Sequence, residues 1–228
     1  MMKFHPHEYQ KYCIDRMISD DKLGLMLDMG LGKTIITLSA IVDLKFNRFE
    51  VGKVLIIAPK KVAEATWTDE IAKWDHLSLL KTSLVLGGLQ KRIKALAKTE
   101  DIYVINRENV TWLVDYYKNA WPFDMVVLDE WSSFKNHQSK RFKSLKVIRN
   151  KINRIVGLTG TPAPNGLIDL WAQLYLLDQG ERLEKTIGKF RERYFEPGQR
   201  NRTVIFNYDA KEGSNEAIHE KISDICIS

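Results

Sequence analysis

The chain has little of what would mark a secreted, membrane-spanning or fibrous protein. Its two cysteines, Cys13 and Cys226, lie far apart in 228 residues. They fit no Cys-x-x-Cys or Cys/His spacing, so both are expected to be reduced thiols rather than halves of a disulfide framework or a metal knuckle. No apolar run approaches the roughly 20 residues a membrane-spanning helix needs, and Met1 to Pro6 carries no signal-peptide core. A cytoplasmic address without a membrane partner is expected. Internal repeats and low-complexity tracts are also lacking, which excludes a solenoid or a disordered tail. Acidic residues are in mild deficit: 29 Asp+Glu against 35 Lys+Arg leave a net charge of +6, a surplus that favours a polyanionic partner. With 44% hydrophobic and 28% charged residues, the chain has a globular composition and is long enough to bury a core.

Short apolar runs alternate with helical periods. Leu23–Leu27, Val54–Ala58, Ser83–Leu86, Ile102–Ile105, Met125–Leu128 and Ile155–Leu158 are nearly continuous hydrophobic stretches, as strands buried on both faces of a sheet require. Between them, Trp67, Ile71 and Trp74 recur at helix spacing, as do Leu38, Ile41, Val42 and Phe46. This alternation predicts an α/β fold: a mainly parallel sheet with helices on both faces and every strand-to-helix loop on one edge. Ligands of such folds bind at that edge. The pattern weakens after Leu177. The reading is therefore a main domain over 1–179 and a basic appendage over 180–228, with a short strand at Thr203–Tyr208 and a helix from Ala217 that runs to Ser228 without an ending signal. Such an ending is expected of a fragment of a longer chain.

Asp28-Met29-Gly30-Leu31-Gly32-Lys33-Thr34 follows the first apolar run and opens a helix. Glycines there let backbone N–H groups approach phosphate oxygens, the helix N-terminus adds partial positive charge, Lys33 reaches the β/γ-phosphates and the Thr34 hydroxyl ligates Mg²⁺. The first glycine of the full phosphate-loop pattern is replaced by Leu27. ATP hydrolysis further needs a carboxylate for the metal and another for the attacking water. Asp129 and Glu130, at the end of the run Met125–Leu128, supply them in that order.

With these residues in view the chain resembles the first RecA-like lobe of superfamily 2 helicases, and within them the SNF2-related DNA translocases. Asp129-Glu130-Trp131-Ser132 with Lys135-Asn136 and Ser139-Lys140 resembles the family's Asp-Glu box and its extension. Leu158-Thr159-Gly160-Thr161-Pro162, with Asn165, Leu170-Trp171 and Leu174, resembles motif III and its helix. The resemblance covers Phe4 to about Leu177 and implies a RecA-like P-loop fold, ATP and Mg²⁺ as cofactors, and a second RecA-like lobe in cis. It further implies that Gln10, in a Q motif, reads adenine, and that Lys60 and Lys61 (motif Ia), Asn106 and Arg107 (motif Ib), and Lys135, Asn136, Lys140 and Arg141 touch DNA. Thr159, Gly160 and Thr161 would couple nucleotide state to DNA contact. Two positions depart from the family pattern: Trp131 stands where a small residue is usual, and Ser132 where His is usual. The arginine-bearing motif VI of a second lobe is not among these residues, so this chain alone is expected to bind ATP weakly and hydrolyse it very slowly.

Eight basic residues and no acidic one lie between Lys135 and Arg154, and a second cluster holds Lys189, Arg191, Arg193, Arg200 and Arg202. Phe142, Leu145 and Ile148 form one apolar stripe, so the first stretch reads as a helix with a cationic remainder suited to phosphate-backbone contact. Trp112, Tyr116, Tyr117 and Trp121 read as a core helix and its turn. The expected activity is ATP-driven movement on double-stranded DNA, with single-stranded DNA or RNA as other tracks. Alternatives are a helicase subunit of a restriction or repair nuclease, and a non-motor nucleic-acid-binding module.

Overall fold

A computed structural model describes residues 1–164, 166–199 and 207–228. Six parallel strands form where the apolar runs predict them: β1 (Lys22–Met26), β2 (Val54–Ala58), β3 (Thr82–Val85), β4 (Ile102–Asn106), β5 (Met125–Asp129) and β6 (Arg154–Thr159). Their runs are continuous because both faces are buried. Leu55 and Ile57 of β2 enter one core layer while Val54, Ile56 and Ala58 enter the other, so the two-residue alternation of a strand leaves no polar face. Helices α1 (Glu8–Ser19), α2 (Lys33–Val42) and α3 (Trp67–Lys73) cover the second layer. Helices α5 (Val110–Tyr117), α6 (Lys140–Ile148) and α7 (Leu170–Asp178) cover the first, and α4 (Leu89–Leu96) packs beside β3.

The sheet order is β3-β4-β2-β5-β6-β1-β9. Its last member, β9 (Cys226–Ile227), pairs parallel to β1 through Gly24 and Leu25. The helix expected from Ala217 to the end is therefore shorter: α9 spans Ser214–Ile222, and the chain then turns into the sheet. Two features hold it there. Arg182 bridges Asp224 at 2.6 Å and the buried Asp178 at 3.3 Å, while a Cβ on Gly24 would sit 2.8 Å from Cys226 Sγ, so only glycine leaves room for that thiol. The stretch 180–228, read from sequence as an appendage, also sends Leu183, Tyr194, Phe195, Ile218, Ile222 and Ile225, together with Phe190 of α8 (Ile187–Tyr194), into the first core layer. Of the strand expected at Thr203–Tyr208, residues 203–206 lie outside the described residues. Tyr208 opens β8 (Tyr208–Ala210), antiparallel to β7 (Phe195–Pro197).

Parallel pairing fixes the position of the candidate site. Met26 is in register with Thr159, Asp129 with Leu158, and Ala58 with Asn106. The loops after β1, β2, β4, β5 and β6 thus leave from one sheet edge, and every motif singled out in sequence, Gln10 apart, sits in or directly after one of them.

Candidate functional site

The glycine-rich loop leads from β1 into α2 with Gly30 at φ +85° and Gly32 at φ +76°, a left-handed backbone that glycine adopts without steric cost. Gly32 meets a second constraint. A Cβ there would lie 2.7 Å from Gln10 Nε2, so the small residue also lets α1 lean on the loop. Gln10 is buried, its Oε1 accepts from the His7 amide at 3.0 Å, and Tyr9 donates its hydroxyl to Leu31 O at 3.2 Å. Lys33 turns its ammonium back into the loop, donating to Leu27 O at 2.7 Å and Asp28 O at 3.0 Å. Met29 is exposed, and its backbone nitrogen would lie 3.6 Å from a Cβ on Gly160. The loop and the Leu158–Pro162 segment are therefore neighbours.

A cleft of about 600 Å³ opens beside this loop, lined by Gly30, Gly32, Lys33, Thr34 and Gln10 together with Phe4, His5, His7, Glu70, Lys73 and Trp74. The far wall was not found by sequence reasoning. Trp74 donates to Glu70 Oε1 at 2.6 Å and packs edge-on to Phe4, with ring centroids 5.4 Å apart. An isolated bridge holds the two segments together: Met2 N donates to Lys73 O, and Asp75 N to Met2 O. The helix spacing of Trp67, Ile71 and Trp74 was visible. That its end faces the loop is a contact across the fold, with no local signal.

Asp129 ends β5 half-buried. Its Oδ1 accepts from the Glu130 amide at 3.0 Å and its Oδ2 from the Trp67 indole N–H at 3.0 Å. Burial, with help from the Glu130 charge, pushes its carboxyl up to about 6 against the opposing pull of the Trp67 hydrogen bond and the Lys33 ammonium. Glu130 follows with φ 52° and ψ 53°, a left-handed conformation that is uncommon for a non-glycine residue and concentrated at functional sites. Mg²⁺ fits this setting. It is typically held by one or two carboxylates plus substrate phosphates and waters rather than by a protein cage, and no cluster of three or more potential ligands exists among the described residues. Thr34 and Asp129 are the side chains that would hold it.

The bulky Trp131 has a prepared place. It is fully buried, and its N–H donates to Gln173 O at 3.1 Å. Gln173 Nε2 in turn donates to Pro162 O at 2.6 Å and Asp169 O at 3.1 Å. The Asp-Glu segment is thereby tied to the Leu158–Pro162 segment, in which the Thr161 amide donates to Thr159 Oγ1 at 3.1 Å. Asn165 lies outside the described residues.

The basic stretch divides. Helix α6 buries Phe142, Leu145 and Ile148 as the stripe predicts, yet several cations turn inward. Arg149 is 3% exposed and donates to the carbonyls of Ile152, Leu176 and Leu177. Arg154 pairs with Glu50 at 2.6 Å, Lys135 with Asp169 at 3.2 Å, and Arg141 donates to Ser133 O. Lys140, Lys143 and Lys146 are the exposed ones. Asn106 is buried in a turn with Glu108 and Asn109, Arg107 lies against Glu108, and Asn136 accepts from the Gln138 amide. Lys60 and Lys61 are exposed after β2. Arg200 and Arg202 lie outside the described residues. Trp112, Tyr117 and Trp121 pack against the first core layer.

Comparison with known proteins gives the family and the fold. A family model described as the SNF2-related domain matches residues 9–221. The chain is similar to protein p41 of Acyrthosiphon pisum secondary endosymbiont phage 1, at 38% identity over 209 residues, 87% of this chain and 45% of that protein. It is also similar to CHR12 of Arabidopsis thaliana, named as an ATP-dependent DNA helicase, at 36% identity over 68% of this chain and 14% of that protein. Among solved structures, the Sulfolobus solfataricus SWI2/SNF2 ATPase core in complex with double-stranded DNA superposes with a TM-score of 0.77 at 25% identity, covering 99% of this chain and 44% of that one. The chain thus spans less than half the length of each of these relatives.

Proposed function

This chain belongs to the SNF2-related domain family, and on that premise we propose that it is the ATP-binding lobe of an ATP-driven translocase that moves on double-stranded DNA. The observation that carries the proposal is the convergence on one sheet edge of the Gly30–Thr34 loop, which Gln10 abuts, and Asp129-Glu130, two strands away across β6. Backbone amides of the loop and the N-terminus of α2 bind the phosphates. Lys33, held meanwhile by two carbonyls, exchanges them for phosphate oxygens. Thr34 and Asp129 would hold Mg²⁺, which would supply charge neutralisation during phosphoryl transfer. Glu130 orients the attacking water and accepts its proton. The Sulfolobus relative bound to duplex DNA supports the choice of track.

A second lobe would close over the cleft and bring an arginine, a group worth about 10³ to 10⁵ in rate in related phosphate-loop enzymes. The test is ATP turnover by the full-length protein with duplex DNA, single-stranded DNA and RNA in turn. Stimulation by duplex DNA, abolished by Lys33→Ala and by Glu130→Gln, is the expected result. Turnover that survives either substitution would overturn the assignment. Mg·ATP binding without turnover on any nucleic acid would favour a non-motor module.

A further inference from the structure

Trp67 lies 62 residues from Asp129 in sequence, yet its indole N–H is 3.0 Å from Asp129 Oδ2. Trp67 is 1% exposed. A buried N–H must have an acceptor or lose its desolvation energy, and the acceptor here is a carboxylate placed for metal binding. The other oxygen, Oδ1, is held by the Glu130 amide. Among the described residues each oxygen accepts from one donor, so each keeps a lone pair. Trp67 is the first residue of α3 and directly follows the π-helical turn Val62–Thr66, so the group that orients the β5 carboxylate is carried by the segment after the neighbouring strand β2.

We propose that Trp67 is a positioning residue for the metal: its N–H fixes the Asp129 carboxylate so that the free lone pairs face the Mg²⁺ of Mg·ATP. The proposal rests on the reading of Asp129 as the metal-side carboxylate. A carboxylate free to rotate must be ordered when the ion arrives, and loss of such outer partners typically costs 10- to 100-fold in metal affinity or activity. A purely structural Trp67, anchoring α3 and no more, would change nucleotide binding with and without metal alike.

The two roles separate in a binding experiment. Mn²⁺, detected by its paramagnetic resonance, is titrated into the 228-residue chain in the presence of a non-hydrolysable ATP analogue, and metal-free binding of the analogue is measured in parallel. Two variants are compared with the unaltered chain: Trp67→Phe, and the chain with 3-benzothienylalanine at position 67, which keeps the bicycle and puts sulfur in place of N–H. Both are expected to bind Mn²⁺ about 10-fold more weakly with metal-free affinity within about twofold of the original. Unchanged Mn²⁺ affinity in the benzothienylalanine chain would overturn the proposal, as would an equal loss with and without metal. If the unaltered chain failed to recruit Mn²⁺ to bound nucleotide, the reading of Asp129 itself would fall.

Discussion

Gly157 forms the floor beneath the indole of Trp131. A Cβ on Gly157 would lie 2.7 Å from Trp131 Cγ, and one on Gly24, its register partner on β1, would lie 2.9 Å from Cζ3. Two glycines side by side in adjacent strands thus make the recess that admits a large side chain directly after Glu130. Gly157→Ala is expected to destabilise the chain by about 1–3 kcal/mol through overpacking. Trp131→Leu should itself be destabilising. In combination, the two costs should fall well short of their sum, because the smaller side chain vacates the space that the new methyl needs. Urea midpoints of the four proteins check this, and additive costs would contradict the described packing.

Asp129→Asn should remove metal binding, and its stability relative to the original in the nucleotide-free chain should depend on pH, over a constant cost for the one donor, Trp67 N–H or Glu130 N–H, that the carboxamide cannot accept from. The sign follows from the raised carboxyl. Its folded value, about 6, lies above the roughly 3.9 of an unfolded chain, so burial of the charge costs stability at pH 7, and the cost is relieved as pH falls through 6. Below about 4 the group is neutral in both states and the difference vanishes. The variant's stability relative to the original is expected to be more favourable at pH 7 than at pH 4 by on the order of 2 kcal/mol in metal-free buffer, as read from thermal or denaturant unfolding. A stability difference between the two proteins that did not change between pH 7 and pH 4 would argue against the burial penalty.

Arg149→Met should behave as a core mutation. Its guanidinium serves carbonyls of Ile152, Leu176 and Leu177, the last two in α7, and no solvent would replace it there. A cost of about 3 kcal/mol is expected, with no change in the salt dependence of DNA binding by the folded protein. Lys146→Ala, on the exposed face of α6, should stay within about 0.5 kcal/mol of the original. Equal stability of the two variants would be inconsistent with the burial of Arg149.

Lys60→Ala and Lys61→Ala should each reduce the slope of log affinity for duplex DNA against log salt by about 1, uniformly across sequences. Lys60 is 73% exposed and only loosely paired with Glu64 at 3.9 Å, so its charge is available to a phosphate. Asn106→Ala should instead lower stability, since its amide holds the turn after β4. Affinity measured at several salt concentrations separates the two effects.

Much of this was legible in the sequence because it is local. The six apolar runs became strands within a residue or two of their expected ends, since a segment buried on both faces needs nothing beyond its own composition to be recognised. The glycine-rich loop and the vicinal carboxylates were legible for the same reason: their chemistry requires particular residues at short spacing directly after a strand. The stripe Phe142, Leu145 and Ile148 likewise predicted which side of α6 is buried.

Tertiary structure decided what depends on partners distant in the chain. Sequence counted Arg149 as one more surface cation, and only the packing of α6 against α7 makes it an interior donor. Sequence read the end of the chain as helix, but a two-residue strand has no periodicity to detect, and β9 exists because Gly24 leaves space for Cys226 and Arg182 holds Asp224. Trp67 was legible as a helix residue, while Asp129 was expected as the metal-side carboxylate and Gln10 as the reader of the base. The sequence thus determined which chemical groups the chain carries and the order in which the strands present them. The fold decided which of those groups meet, because hydrogen bonds such as that between Trp67 and Asp129 act over about 3 Å in space whatever the separation along the chain.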